Sequence, residues 1–183
     1  MLRILGGSRR GKKLKGPSGL AFRPATGRVK SFVFEYFKQD IAGSRVLDLF
    51  AGTGSLGIEA LSRGAAHCTF VEQDNRILSL NLDACGFAHS ARLVRGDVFK
   101  ILPRLAADGR TFDFILADPP FKESLRERIA QAVDRNRLLE PNGLLIIEHD
   151  IRDPDRFEHG LKLLKQKRFG HCVLSVYGYA PLE

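Results

Sequence analysis

Short apolar runs alternate with amphipathic segments along most of the 183 residues. Runs of four to eight apolar residues bounded by Gly, Pro or Asp predict buried strands, whereas apolar residues at every third or fourth position predict helices. The predicted strands are 45–50, 68–72, 92–94, 112–117, 144–148, 161–167 and 172–179. The first predicted helix has Thr26 as N-cap and carries Val29, Phe32, Val33, Tyr36 and Phe37 on one face. Four further helices are predicted at 55–63, 74–85, 98–105 and 124–133, and Asp74 is the expected cap of the second of these.

Strands that alternate with helices indicate parallel βαβ units, so the pattern predicts a doubly wound α/β sheet. The last two strands follow each other without a helix and predict a C-terminal antiparallel hairpin. The triplet Pro141-Asn142-Gly143 predicts a turn before the strand at 144. Near the start, Leu2, Ile4, Leu5 and Leu14 flank a Gly6-Gly7 turn signal and predict a small N-terminal β-hairpin. We expect two parts, a basic arm at 1–24 and the main α/β domain at 25–183.

The net charge of +8 is concentrated near the N-terminus. Residues 1–30 contain nine Lys or Arg and no acid, whereas the rest of the chain has 20 bases and 21 acids. Clustered bases bind nucleic acid because they release counterions from phosphates, so this arm predicts an RNA contact. A solvated tail and a transit peptide are the alternatives, and the many glycines disfavour the transit peptide. The residues assigned to RNA binding are Arg9, Arg10, Lys12, Lys13 and Arg23.

Composition excludes several other classes of protein. No apolar run is long enough to span a membrane, and no signal-peptide pattern opens the chain. Cys68, Cys85 and Cys172 are scattered without a Cys-x-x-Cys pair, and the five histidines lack the helical spacing of metal ligands. We therefore expect a cytoplasmic monomer without a metal site or a membrane partner.

Four successive predicted strands are each followed by or end in an acid: Asp48, Glu72, Asp97 and Asp118. Ligands of doubly wound sheets bind at the carboxyl ends of the strands. Helix capping accounts for one or two such acids, but not readily for four on one edge. The sequence therefore predicts a ligand site at this edge.

The segment after Asp48 is a glycine loop that reads Gly52-x-Gly54-x-x-Gly57, with Glu72 twenty residues beyond Gly52. This spacing meets the dinucleotide fingerprint, in which an acid binds ribose hydroxyls. Asp48, however, adds negative charge where a pyrophosphate would lie, and so favours S-adenosylmethionine over a nicotinamide cofactor. In this interpretation Glu72 binds the ribose and Asp97 the adenine amine. The expected cofactor-binding residues are Asp48, Phe50, Ala51, Gly52, Thr53, Gly54, Glu72, Gln73, Asp97, Val98 and Asp118.

The most specific chemistry is predicted for Asp118-Pro119-Pro120-Phe121. Prolines stiffen the backbone and remove N–H donors, so this loop presents acceptors only. A carboxylate, a rigid carbonyl and a ring suit a planar amine such as that of a nucleobase, and these four residues are the expected catalytic set. The alternatives are a rigid turn that closes the strand and, for Phe121, a ring in the core.

Taken in order, these motifs resemble the bacterial 16S ribosomal RNA guanine-N2 methyltransferases that modify guanine 966. The matching segments are Arg3 to Leu14, Arg23-Pro24-x-Thr26-x-Arg28-Val29, Asp48 to Gly57, Glu72, Asp118 to Phe121 and Ile147-Glu148. The resemblance covers nearly the whole chain. It implies a class I methyltransferase fold, Rossmann-like, with a mostly parallel sheet of about seven strands.

The resemblance also implies S-adenosylmethionine as methyl donor and 16S ribosomal RNA as partner, within an assembled or partly assembled small subunit. Asp118 and the Pro119 carbonyl would accept the guanine amine hydrogens while Phe121 stacks on the base. Arg23, Thr26 and Arg28 are expected to bind the cofactor carboxylate or an RNA phosphate, and we assign Thr26 and Arg28 to the cofactor. DNA adenine or cytosine, a protein glutamine, or a non-catalytic RNA-binding role stay open as alternatives.

Overall fold

The computed structural model describes residues 2–16, 27–36, 41–120, 125–153 and 160–179 of the chain. Within these ranges, one sheet contains seven strands. The strands are β1 Arg45–Leu49, β2 His67–Glu72, β3 Ala91–Arg95, β4 Phe112–Ala117, β5 Leu139–Asp150, β6 Lys162–Phe169 and β7 Cys172–Gly178. The helices are α1 Gly27–Tyr36, α2 Ser55–Ser62, α3 Arg76–Cys85, α4 Val98–Ala107 and α5 Arg126–Arg135, with short 3-10 turns at Gly7–Arg9 and Ala88–Ser90.

The strand order is β3-β2-β1-β4-β5-β7-β6. The first five strands are parallel, while β7 is antiparallel to both β5 and β6. This arrangement confirms the predicted doubly wound sheet and its C-terminal antiparallel hairpin. The chain reverses its direction of winding between β1 and β4, and this switch point is where such sheets bind ligands.

The core consists of one apolar layer on each face of the sheet. Side chains alternate between the two faces along a strand, so Val46 packs into one layer while Leu47 and Leu49 pack into the other. Helices α1, α2 and α3 cover the first layer, and helices α4 and α5 cover the second. Within the described residues, no helix is long and apolar enough to cross a membrane.

Two local predictions differ from the structure. The triplet Pro141-Asn142-Gly143 is not a turn that precedes β5, because β5 already begins at Leu139. Leu139 pairs with Phe112, and the register then shifts, so the triplet bulges out of the ladder instead of ending it. The second difference is at α3, which begins at Arg76 without a side-chain cap.

At α3, the carboxylate of Asp74 binds the first residue of the helix, Arg76. Its Oδ1 accepts from the Arg76 Nε at 2.8 Å and its Oδ2 from Arg76 Nη2. Arg76 is the first residue of α3, and Asp74 Oδ1 also accepts from its backbone N–H at 3.3 Å. Asp74 therefore holds the first turn from the position before the N-cap residue, which is Asn75.

The N-terminal hairpin is confirmed in the described part of the arm. Arg3 and Lys13 form an antiparallel bridge, Ile4 N donates to Lys12 O at 3.0 Å, and Gly11 N donates to Ile4 O at 2.9 Å. The hairpin is docked on the helices, since its apolar side chains Ile4 and Leu14 are buried in the first core layer. Residues 2–16 are therefore not a solvated tail.

Candidate active site

The switch point brings the predicted acids to one edge of the sheet. Leu49 pairs with both Val71 and Ala117, so the residues that follow these three positions lie at one level. Glu72 and Asp118 are thereby adjacent to the glycine loop. A hydrogen bond of 3.1 Å from Gly96 N to Glu72 O brings the end of β3, and with it Asp97, to the same edge.

The glycine loop turns sharply between β1 and α2. Phe50, Gly52 and Gly54 all have positive φ, at 56°, 55° and 77°, and Gly54 N donates to Ala51 O at 2.7 Å. A Cβ on Gly57 would overlap the Phe70 ring, so this glycine permits close packing of α2 on the sheet. A Cβ on Gly52 would meet only Phe50 O at 3.9 Å, so Gly52 faces open space.

Glu72 holds the loop in this shape. Its Oε2 accepts from Gly52 N at 2.7 Å, and its Oε1 accepts from Gln73 N at 2.7 Å and Asp74 N at 3.2 Å. The Gln73 carbonyl in turn accepts from Arg95 Nε at 3.0 Å. The carboxylate of Glu72 thus fixes backbone groups of the glycine loop and of the segment that follows β2. The sequence predicted only that Glu72 binds ribose hydroxyls.

Asp48 lies beneath the loop and is only 2% exposed. Its Oδ2 accepts from Gly57 N at 2.8 Å. Burial raises the pKa of Asp48, the Gly57 N–H opposes the rise and the nearby Glu72 carboxylate adds to it, and together they bring the pKa to about 7. At this depth, Asp48 acts on a ligand through its charge and through the position of Gly57.

Asp118 is half-buried, and of the two prolines that follow it Pro119 is buried and Pro120 is exposed. Loss of solvent raises the pKa of Asp118 well above its ordinary value, and the carboxylates of Glu148 and Asp48 raise it further. This edge therefore disfavours more negative charge and favours a cationic ligand.

Glu148 belongs to this cluster although we did not assign it to the site from the sequence. It lies near the end of β5, is 6% exposed, and its Oε1 accepts from Cys172 Sγ at 3.0 Å. The signal was present in the sequence, because Glu148 follows the apolar run 144–147 as the acid at the end of a fifth strand.

Asp97 and its neighbours border the site on the β3 side. Asp97 caps α4, with Oδ1 accepting from Lys100 N at 3.1 Å, and the Val98 side chain is buried in the core. Only the backbone of Val98 is thus available to a ligand. Phe99, which we did not predict, packs edge-on against Phe50 with ring centroids 6.3 Å apart.

Asn81 connects the glycine loop to the N-terminal arm. It is 1% exposed, and its Nδ2 donates to Thr53 O at 2.9 Å and Lys15 O at 3.0 Å, while its Oδ1 accepts from Lys15 N at 2.7 Å. The arm thereby supports the loop through the Asn81 side chain. Thr53 itself is 3% exposed, so its hydroxyl lies inside the protein.

A buried ion pair docks the arm and α1 onto α2. Lys30 Nζ lies 3.1 Å from Glu59 Oε2, with the two side chains 2% and 0% exposed. Glu59 also accepts from the backbone N–H groups of Leu5 and Gly6 at 2.8 Å each. Lys30, one of the nine bases of the N-terminal segment, is therefore structural.

The bases assigned to RNA binding lie partly away from the acids. Arg9 N donates to Ser62 Oγ at 3.0 Å and Arg9 Nε to Cys85 O at 2.8 Å, at the ends of α2 and α3. Because α2 begins at the glycine loop, Arg9 at the other end of α2 lies about 10 Å along the helix from the acids. Arg10, Lys12 and Lys13 are exposed.

Several predicted site residues cannot be placed. Arg23, Thr26 and Phe121 lie outside the described residues, and Arg28 lies in α1 with its side chain not described. Among the described residues, no group of three or more His, Cys, Asp or Glu side chains could hold a metal ion.

Comparison with known proteins agrees with this architecture. The chain is 36% identical over 155 residues to ribosomal RNA small subunit methyltransferase D of Escherichia coli K12, covering 83% of this chain and 76% of that protein. It is 34% identical over 181 residues to the protein of the same name from Haemophilus influenzae, covering 96% and 93%. A solved structure from Escherichia coli superimposes with a TM-score of 0.85 at 33% identity over 97% of both chains.

The family profile described as "Conserved hypothetical protein 95" matches residues 2–178. Together with the relatives and the strand order, this match confirms the resemblance and the class I methyltransferase fold. The chain therefore belongs to the Conserved hypothetical protein 95 family of S-adenosylmethionine-dependent methyltransferases.

Proposed function

We propose that this protein transfers the methyl group of S-adenosylmethionine to the exocyclic N2 amine of a guanine, guanine 966, in small-subunit ribosomal RNA. Relatives named ribosomal RNA small subunit methyltransferase D support the reaction and the class of substrate. An amine is proposed as the methyl acceptor because Asp118 and the buried Pro119 lie at the switch point. This pair offers a carboxylate and a rigid carbonyl beside the acids that would hold the cofactor.

The residues at this edge fit S-adenosylmethionine. The backbone is open at Gly52, where a ligand can approach closely. Burial and neighbouring carboxylates raise the pKa values of Asp48 and Asp118, and a sulfonium and an ammonium group would relieve that repulsion. Glu72 would bind the ribose hydroxyls and Asp97 the adenine amine. When bound, the cofactor supplies a methyl group that a neutral amine can attack.

The carbonyl of Pro119 and the carboxylate of Asp118 would each accept one hydrogen of the guanine amine. This orients the nitrogen lone pair toward the methyl group, and orientation of this kind accounts for much of an enzyme's rate enhancement. A cation next to Asp118 lowers the pKa of its carboxyl, so cofactor binding favours the acceptor form. Asp118 can then take the amine proton late in the transfer. Phe121 would stack on the base.

The RNA is proposed to contact the arm at 1–24 as well as the domain at 25–183. Exposed Arg10, Lys12 and Lys13 would bind phosphates, together with Arg9 and Arg23, while Thr26 and Arg28 would bind the cofactor. We propose 16S ribosomal RNA in an assembled or partly assembled subunit as the substrate, and a cytoplasmic monomer as the active form. Replacing Arg10, Lys12 and Lys13 by Gln should flatten the salt dependence of RNA binding by about two log units per decade. An unchanged salt slope would show that the arm supports the fold without contacting RNA.

The proposal is tested by the distribution of a labelled methyl group. The protein is incubated with methyl-labelled S-adenosylmethionine and, separately, unmodified 16S RNA, unmodified small subunits, DNA and protein. Label in RNA or subunits supports the proposal. Label confined to DNA or protein would assign the same acceptor chemistry to another substrate, and binding of the cofactor without any transfer would indicate a non-catalytic module.

A further inference from the structure

The outermost strand, β6, carries a second concentration of positive charge. Between Lys162 and Phe169 it has four bases and no acid, and every side chain from Lys162 to Arg168 is exposed. A strand of an α/β sheet is normally buried on both faces, and β6 ends the strand order. The strand therefore presents bases to solvent on both faces, with Lys165 and Lys167 on one face and Arg168 on the other.

Helix α1 fixes one of these bases in place. The rings of Phe32 and Tyr36 are stacked with centroids 6.2 Å apart, and Lys165 Nζ lies 4.7 Å from the Tyr36 centroid and 5.9 Å from that of Phe32. Phe32 also packs edge-on against Phe169 at the end of β6, at 5.7 Å. Cation–π contacts thus hold the ammonium group of Lys165 against an aromatic platform.

The strand pairing places Lys167 at the level of the transfer site. Asp118 follows the last paired residue of β4 and is level with Glu148 of β5. Glu148 pairs with Leu174 of β7, and Leu174 pairs with Lys167 of β6. Three strand spacings therefore separate the backbones of Asp118 and Lys167, about 14 Å. A few nucleotides of single-stranded RNA cover this span.

We propose that Lys165, Lys167 and Arg168 bind the phosphates of the RNA that flank the target nucleotide; this group is called the β6 surface below. The inference rests on the proposed function, because it takes RNA as the substrate at Asp118. Charge complementarity favours RNA, since the strand contains no acid. Lysines on edge strands also prevent pairing with other chains, but that role requires neither the aromatic support of Lys165 nor the level of Lys167.

The experiment replaces Lys165, Lys167 and Arg168 by Gln. Binding of an unmodified 16S RNA fragment is measured over a range of salt concentrations, and KM for the same RNA is measured in the transfer assay. We expect Kd and KM for RNA to rise at least tenfold. The salt dependence of log Kd should decrease by about two, since each phosphate contact of single-stranded RNA contributes about 0.7.

A matched control removes the same charge at the amino-terminal ends of the parallel strands, away from the transfer site. Arg104 in α4, Arg110 before β4 and Arg135 in the last turn of α5 are exposed, and their replacement by Gln should change Kd less than twofold. The inference is overturned if both triple variants weaken binding equally, because the effect is then only the net charge. It is also overturned if the β6 variant binds RNA as the wild type does.

Assembled subunits provide a third comparison. If the β6 variant loses affinity for subunits but not for naked RNA, the partner of this surface is a ribosomal protein and the RNA inference is wrong. Failure of the proposed function has a different signature, in which the wild type binds RNA but transfers no methyl group to it. In that case a weakened β6 variant would still identify an RNA-binding surface.

Discussion

The buried carboxyl of Asp48 should make the protein less stable as pH rises. A carboxylate in an ion pair, whose pKa is lowered on folding, has the opposite effect. Burial raises the pKa of Asp48 from an ordinary value of 3.8 to about 7. As pH rises above 3.8, the unfolded chain releases this proton first while the folded protein retains it. Stability therefore falls by about 1.4 kcal/mol per pH unit until the folded carboxyl ionises near pH 7, and the cost is constant above that.

The perturbation is Asp48→Asn, which keeps an oxygen to accept from Gly57 N. Integrated between pH 5 and pH 8, the two pKa values give a change of about 2.5 kcal/mol in the stability of the wild type relative to the variant. Urea denaturation of both proteins at these two pH values measures the change, and the stability of the variant relative to the wild type should be higher at pH 8 than at pH 5. Asp108→Asn, at an exposed position after α4, serves as the control for loss of a surface charge.

A difference between wild type and Asp48→Asn that stays constant from pH 5 to pH 8 would refute the reasoning. It would mean that the carboxyl is better solvated than its 2% exposure indicates. The same experiment with S-adenosylmethionine present should show a smaller slope, because a cation near the acids favours the ionised form of Asp48.

Three further outcomes follow from the contacts described above. Lys30→Met should lower the free energy of unfolding by about 1–3 kcal/mol in denaturant titrations, because it removes the buried cation beside Glu59 and leaves Arg63 Nε at 2.9 Å as the remaining one. The exposed Lys100→Met should change it by less than about 0.5 kcal/mol; equal losses would contradict the pairing. Gly57→Ala should lower the free energy of unfolding by about 1–3 kcal/mol, because its Cβ would overlap the Phe70 ring. Gly27→Ala, where a Cβ has open space, should leave stability to heat unchanged or raise it, and thermal denaturation of both variants tests this. Asp118→Asn should reduce methyl transfer at least a hundredfold with cofactor affinity within a few-fold by calorimetry; undiminished transfer would remove Asp118 from the chemistry.

The sheet and its acidic edge could be predicted because both depend on local patterns. Apolar runs of strand length and the acids that follow them are visible without any tertiary information, and the carboxyl ends of parallel strands necessarily meet. The same rule would have included Glu148, which ends a fifth strand. Glu148 is part of the Ile147-Glu148 segment of the resemblance, but the strand-end pattern up to Asp118 did not assign it to the site.

The functions of buried polar groups could not be predicted in this way. Lys30 was one base among nine, and only the packing of α1 against α2 shows that it is paired with Glu59 in the interior. Asn81 gave no signal, because its three hydrogen bonds join segments far apart in sequence. Pro141-Asn142-Gly143 has the composition of a turn, yet pairing with β4 continues on both sides of it.

The distribution of charge illustrates the limit of counting along the chain. Residues 31–183 are nearly balanced, with 20 bases and 21 acids, so the basic strand β6 is hidden in the total. The fold separates the two signs, with acids at or near the ends of β1 to β5 and bases on the outer strand β6. The chain thus has a cationic surface next to the proposed transfer site as well as at its N-terminus.

The most direct test of the central claim is the identity of the methylated nucleoside. Unmodified small subunits are incubated with the protein and methyl-labelled S-adenosylmethionine, and the RNA is digested to nucleosides and analysed by mass spectrometry. The site at Asp118 and Pro119 predicts label in N2-methylguanosine at a single position, and its loss with Asp118→Asn. Label in a ring nitrogen, a carbon or a ribose hydroxyl would contradict an amine acceptor site.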